Sequence, residues 1–457
     1  MDSGGWTMVA EMWVFCVRRK LFARGYAGVG VMCGFIASDI PRESLEEIID
    51  AVGGTQVDLT AVIVKHIELA ACDPQNPLVS SNLWILNSVV TFISNQCHHG
   101  RLARQPLVDC GLAKALIAGV CRLTRITAES QGFLRQAFAV LRWLLIPPDV
   151  PSNVWVPTAL KAGLLRAIVA VSTYSADTTN VEACRYILTK HLVPSLAYYH
   201  VLRCLPKAIC KVKADLIPPP IFREWTAFME LAKSRIELFR FFNSEKYTPL
   251  RACDNSSCNI IQDPQTFDLC SACRQCFYCS GDCRRMDWEA GGHRVGCPRL
   301  CLQATVTEIL GQRELSFLGA VVHQVYSIMK HTIWLKQITF MHAHPGEDFY
   351  ALFDQTGVSP PCDVLAQSAS DHPRVRTCHA TRSGGLIELH MLLMTSKDHT
   401  VAQWIPMRSS SSALHDGLQQ IAAGIDPTAD ISQIQGRLRD EIQRLEEEEG
   451  AEVIQFH

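Results

Sequence analysis

Apolar residues between positions 41 and 246 recur in long runs broken by short polar stretches, with few strict alternations of apolar and polar positions. This patterning predicts helices rather than strands. Two runs, "LVDCGLAKALIAGV" (107–120) and "ALKAGLLRAIVAV" (159–171), share the cadence G-L-x-x-A, and their glycines, Gly111 and Gly163, lie 52 residues apart. "AVGGTQVDLTAVIV" (51–64) is a fainter third copy. Similar helical units at such a period predict an armadillo- or HEAT-like stack, with insertions because the period slightly exceeds the usual range. An irregular helical domain with chance similarity is the plainer alternative, and both readings are all-α. In "LIPPPIF" (216–222), Pro220 is placed to start the helix that carries Trp225, Phe228, Ile236 and Phe239.

Beyond residue 303 the periodicity is mixed. A helix is expected at roughly 314–335, followed by strands at 348–354 and 386–394, the second after a Gly384-Gly385 turn. A serine-capped helix is expected at 409–424. In the last segment Ile434, Leu438, Ile442 and Leu445 share one face of an acidic amphipathic helix. The fold class is therefore mainly α: an N-terminal segment of no clear definition (1–40), a helical-repeat-like domain (41–246), a small cysteine-rich module (247–302) and an α+β domain (303–457). The histidines of the last domain, such as His323, His342, His344 and His390, have no carboxylates at helical ligand spacing and read as ordinary surface or core residues.

Composition changes the picture in three ways. The 457 residues are 48% hydrophobic and 19% charged, enough for large cores. The net charge of −2 lacks the basic excess that a nucleic-acid binder usually carries. In residues 6–38 Glu11 and Arg18-Arg19-Lys20 interrupt the apolar patches, and the longest uncharged run is 14 residues, too short for a bilayer. The positive charge follows the first apolar patch, the wrong order for a signal peptide. An intracellular location, nuclear or cytoplasmic, with no membrane partner is the expectation.

Nine of the 20 cysteines lie between Cys253 and Cys301; the rest are scattered singly. In a reducing compartment such a cluster reads as metal ligands rather than disulfides. Its pairs are Cys253-x4-Cys258, Cys270-x2-Cys273, Cys279-x3-Cys283 and His293-x3-Cys297. Tetrahedral zinc, with Zn–S near ~2.3 Å, sets its sulfurs about 3.8 Å apart, a spacing that a Cys-x2-Cys turn or one helical face can supply. Four pairs make two closed sites with no open position, so the two Zn2+ ions would be structural. Spacing leaves open three ways of sharing the pairs between two metals.

The stretch "YCSGDC", followed by Asp287-Trp288 and His293-x3-Cys297, resembles a MYND-type zinc finger. In that family the ligands form a cross-brace, which implies one zinc on Cys253, Cys258, Cys279 and Cys283 and another on Cys270, Cys273, His293 and Cys297. The first pair is x4 where the family usually has x2, and Gly291-Gly292 precede the histidine as an insertion. Looped variants of this kind look like the MYND proteins abundant in mushroom-forming fungi. The family commonly has glutamine where Arg284 stands. In some members that position and the following tryptophan, here Trp288, help bind peptides. Cys276 and Cys301 are bystanders, although Cys276 sits x2 from both Cys273 and Cys279. RING fingers, the nearest competing cross-brace, carry a central Cys-x-His that is absent here.

The module from Arg251 to Cys301 has six arginines, no lysines and six acidic residues. Seven thiolates against two Zn2+ add about −3 more, so it has no counterion-release drive towards phosphate. The resemblance implies docking of short proline-containing segments, with Trp288 as anchor or else as a core residue of the finger, and an association with transcriptional regulation. The expected function is thus a non-enzymatic adaptor for protein partners. One alternative is a finger that only braces two domains. The other is a SET/MYND-type lysine methyltransferase, whose Asn-His-Ser-Cys type motif and glycine-rich start are not found. Partner identity and oligomeric state are not encoded in any of these patterns.

Overall fold

The computed structural model describes residues 4–24, 27–71, 80–123, 128–145, 155–175, 177–212, 217–247, 250–274, 276–298, 311–355, 362–366, 383–396, 399–426, 429, 431–449 and 454–456. The protein is mainly helical, with a cysteine-rich cluster and a small sheet region towards the C-terminus. It divides into two compact units. One comprises 1–147, 153–195 and 200–231; the other comprises 148–152, 196–199 and 232–457. The cysteine-rich module and the α+β region, distinguished above by their patterning, fall in the same unit.

In the first unit, α1 (Gly5–Arg18) and α2 (Ala27–Ile36) precede nine helices that form three successive triplets. These are α3 (Arg42–Val52), α4 (Gln56–Ala71) and α5 (Ser80–His98); then α6 (Arg104–Asp109), α7 (Leu112–Arg122) and α8 (Ala128–Leu145); then α9 (Trp155–Ala162), α10 (Leu164–Tyr174) and α11 (Thr178–Tyr186). Equivalent helices pack on one another: α4 on α7, α7 on α10, α5 on α8 and α8 on α11. The shared G-L-x-x-A cadence has a shared structural basis. Gly111 and Gly163 both sit immediately before the second helix of their triplets, with φ of 85° and 105°. That left-handed conformation is cheap only for glycine, and it lets the chain turn sharply from one helix into the next. Gly53 and Gly54, also at positive φ, separate α3 from α4 in the fainter copy.

The residues at 5–36 belong to this helical unit. Trp13 of α1 is fully buried, and its Nε1 donates to His66 Nδ1 of α4 at 2.9 Å. Among the described residues no single helix is long and apolar enough to cross a membrane. The pair α9 and α10 passes that test together, but it bends by 60° and its apolar residues are mostly buried in the unit.

The second unit holds a five-stranded sheet of order β6-β5-β7-β8-β9. Its strands are β5 (Phe349–Asp354), β6 (Cys362–Ala366), β7 (Ile387–Ser396), β8 (His399–Ser409) and β9 (Ile454–Phe456). Only β5 and β7 pair in parallel; the other neighbours are antiparallel. The helix Gln312–Ala343, longer than its expected span, packs with helices Ala413–Ala423 and Ile431–Glu449. The apolar stripe of the last helix points inward: Leu438 and Ile442 are buried, and Ile434 and Leu445 partly so. Gly417 has no room for a side chain because the Leu445 side chain fills that space.

Candidate metal centre

The cysteine-rich module is built from two two-stranded ribbons and a short helix. Strand β1 (Arg251–Ala252) pairs with β2 (Ile261–Gln262), and β3 (Asp268–Leu269) with β4 (Phe277–Tyr278). Segments this short have almost no ladder of their own, so other restraints must hold them. Cys253 leaves β1 into a tight turn in which its N–H donates to the Ile260 carbonyl at 3.0 Å and that of Cys258 to the Asn255 carbonyl at 2.9 Å. Cys279 follows β4. Ser280 then caps the helix Gly281–Met286 by accepting from the Cys283 N–H at 3.1 Å, which places Cys283 one turn after Cys279. In the second turn the Arg274 N–H donates to the Cys270 carbonyl at 2.9 Å, and Arg274 takes a left-handed φ of 51° as the chain leaves Cys273. His293 and Cys297 lie on the helical stretch 293–298.

These turns bring the eight candidate residues into two groups, Cys253/Cys258/Cys279/Cys283 and Cys270/Cys273/His293/Cys297. Within each group the ligand atoms all lie within 4.8 Å of one another. The Sγ–Sγ distances are 3.7 Å for Cys258–Cys279, 3.6 Å for Cys279–Cys283 and 3.9 Å for Cys270–Cys297. His293 Nε2 is 3.3 Å from Cys270 Sγ and 3.7 Å from Cys273 Sγ. Of the three ways of sharing four pairs, this is the interleaved one, first with third and second with fourth. Each group could hold a metal ion.

The donor chemistry fits a divalent cation. Burial and the surrounding thiols push the Cys279 thiol up to about 11 and that of Cys297 up to about 12. Crowded thiols of this kind cannot all ionise unless a cation compensates them. Burial works to lower the His293 pKa, but hydrogen bonds and charge from Cys273 and Cys270 raise it to about 9. The imidazole is therefore already drawn towards the sulfurs.

The surrounding residues fix these positions. Tyr278 and Asp287 are both fully buried, and the phenol donates to Asp287 Oδ2 at 2.7 Å. That bond ties β4 to the π-type turn Asp287–Gly291. A Cβ on Gly291 would collide with the Asp287 carboxylate, and Gly292 sits at φ 91°. Both inserted glycines are thus required by the local geometry. With Nε2 turned towards the thiols, His293 Nδ1 lies 3.4 Å from the buried Cys276 sulfur. Histidines that bind metal ordinarily give their second ring nitrogen such a partner. A hydrogen bond with Cys273 and burial push the Cys276 thiol up, so it stands beside the second group as a protonated neighbour. Cys301 lies outside the described residues. Trp288 is 41% exposed, its ring centroid 5.8 Å from that of His293, and Arg284 is exposed on the preceding helix.

One neighbour of the site has no signal in the sequence. Arg408, on β8, is fully buried. Its Nη2 donates to the carbonyls of Asn255 at 2.9 Å, Ser256 at 3.1 Å and Cys258. Burial pulls its pKa down, while Asp254 and the thiols of Cys253, Cys258 and Cys283 hold it up. The first cysteine group thus faces a buried guanidinium delivered by the C-terminal sheet.

No protein-family model matches the chain, and no curated protein or solved structure matches it either.

Proposed function

We propose that residues 247–302 form a MYND-type module in which the two groups hold two structural Zn2+ ions, and that the chain is a non-enzymatic adaptor that carries this module together with an armadillo-like helical scaffold. The observation that carries the reading is the pair of four-ligand groups with an exposed tryptophan beside them. Four protein ligands per ion leave no coordination position for water or substrate, which suits a folding role rather than catalysis. Large rigid aromatics dominate binding hot spots, and Trp288 is partly open to solvent, as is Arg284 on the preceding helix. Short proline-containing segments of partner proteins are the ligands that the family resemblance implies. Three successive helix triplets, with second packed on second and third on third and with glycine ahead of each second helix, support the armadillo-like description of the scaffold.

Zinc-loaded protein titrated with a panel of short proline-containing peptides tests this, with Trp288→Ala as the comparison. The adaptor reading expects two Zn2+ per chain in both proteins and saturable peptide binding lost in the variant. Peptide binding that is absent from both, or equal in both, overturns it. A second reading has its own support: the burial of Arg408 in the first turn of the module favours a finger that only braces, here against the C-terminal sheet. On that reading the Trp288→Ala variant loses stability with its partners unchanged, and Arg408 variants melt early.

A further inference from the structure

A cavity of about 870 Å3 opens in the C-terminal region, and the metal-binding reading gives it no role. It lies where the end of the helix Gln312–Ala343 meets β5, β7 and the helix Ala413–Ala423. Its size is within the range of about 300–1,000 Å3 that is common for small-molecule sites. Four carboxylates line it, those of Glu347, Asp348, Glu388 and Asp416, together with His342 and His415. Among the described residues no lysine or arginine does.

Acidic lining alone is ordinary, but the interior wall is not. Glu388 and His390, two apart on β7, point to one face of the sheet. His390 is fully buried, stacked on Phe353 at 5.1 Å between centroids, and its Nε2 is 3.2 Å from Glu388 Oε2. Gln337 donates its Nε2 to the same oxygen at 3.4 Å. Burial works to raise the Glu388 pKa, yet its bond to His390, with the charge of His390 and His415 and the Gln337 amide, holds it below the ordinary value. Both bonds fall on Oε2, so Glu388 Oε1 receives nothing from the described residues. Gln337 is 1% exposed, and its Oε1 has no partner among them. Its Nε2 is committed to the carboxylate, so Oε1 is fixed as a waiting acceptor. Burying an acceptor without a donor is costly, so Gln337 Oε1 calls for a donor that the described residues do not supply.

We propose that this cavity binds a small organic cation, an ammonium or guanidinium group on an apolar stem, with the head donating to Gln337 Oε1 and Glu388 Oε1. Such a head donates and cannot accept, suits acceptors that lack donors and balances the acidic lining. Met341, Phe349 and Ile425 provide an apolar wall for the stem. The Gly384-Gly385 turn lets His415 close one side, since a Cβ on Gly385 would stand 2.6 Å from that ring.

Calorimetry and melting of the full zinc-loaded chain with agmatine, cadaverine, 1,5-pentanediol and a capped lysine amide test the proposal independently of any peptide bound at Trp288. Saturable binding of the amines with a raised Tm, and none of the diol, is the expected result. Glu388→Gln should weaken the amines at least tenfold. Because that carboxylate is structural as well, Ala423→Phe serves as the second variant: Ala423 is exposed at the rim, and a bulky ring there should block binding without disturbing the polar network. If the capped lysine amide binds as well as the free amines, the natural ligand is a side chain of a polypeptide; if it fails where the free amines bind, it is a free amine. Absence of amine binding to folded wild type, equal binding of amine and diol, or binding untouched by both variants overturns the proposal.

Discussion

Arg408 shows how a single side chain couples two parts of one unit. A buried guanidinium is expensive to desolvate, and only charge and hydrogen bonds close by can offset the cost. Here three backbone carbonyls of the first cysteine turn, all reached by Nη2, and the negative groups around it offset part of that cost, and burial still lowers the pKa. Arg408→Met should therefore weaken metal binding at the Cys253/Cys258/Cys279/Cys283 group by roughly 10–100-fold, the usual range for partners just outside the ligand shell. Chelator competition should then release one metal early and the other at the wild-type rate. Simultaneous early loss of both would show that the arginine acts on the whole module instead. At Tyr278 the removed group is one hydroxyl. Tyr278→Phe takes the phenol donor from buried Asp287 and should cost about 1–3 kcal/mol in urea denaturation. Gly291→Ala, which forces a methyl against that same carboxylate, should destabilise the module as well. The eight ligand candidates were legible as spaced pairs, but their sharing came only through the family resemblance. Arg408 was illegible: in "IPMRSS" it is one arginine in a strand, and nothing local says that its partners lie 150 residues back.

Among elements, the helix triplets were the most readable and the sheet the least. Periodicity marks a helix from its own residues, and the repeated glycine marked a repeated turn. Gly163→Ala should cost on the order of 1 kcal/mol or more at its φ of 105°, and Gly163→Asn less, because asparagine tolerates the left-handed region better. Gly111→Ala is the cleaner case, since no atom lies within 4 Å of the position a Cβ would take and the cost is backbone alone. Equal stability of the alanine and asparagine variants in urea would argue against this account. Strand order carried no such local signal. β6 follows β5 in sequence yet takes the sheet edge, leaving β7 to pair with β5 in parallel, and β9 returns to β8 only after the last helix. The strand "LIELHMLLM" did hold a clue to the cavity. A glutamate and a histidine at alternate positions of an apolar strand share a face, and in a buried strand such a pair needs partners. Sequence alone reads His390 as an ordinary surface or core histidine; it is a core one, set behind Glu388.

The two units of the molecule should respond to different insults. In the helical unit His66 and His191 are buried, and burial holds their pKa values down to about 3 and about 4, Arg142 adding to the effect at His191. The sign follows from linkage. Below the ordinary histidine value of 6.5 the unfolded chain takes up protons that the folded chain refuses. The stability these groups allow is complete above 6.5 and drains away as the pH falls towards 3 to 4. For His66 this amounts to roughly 3 kcal/mol at pH 4. His66→Gln, which keeps an acceptor for Trp13 but cannot titrate, should flatten that slope in melts from pH 7 to 4. Chelation should act on the other unit. With zinc stripped under reducing conditions, protease should cut first within 247–302 and next in the sheet that Arg408 anchors, while the helix triplets, which have their own core, persist. Arg408 also sets an order of events in the cell. It leaves the ribosome 150 residues after Cys258, so a nascent chain can capture its first ion well before that guanidinium exists. If the two groups take up metal during synthesis, an ion in the first would be held provisionally and its retention would become a property of the finished polypeptide: a chain truncated before β8 should then lose that ion to a chelator more readily than the full chain.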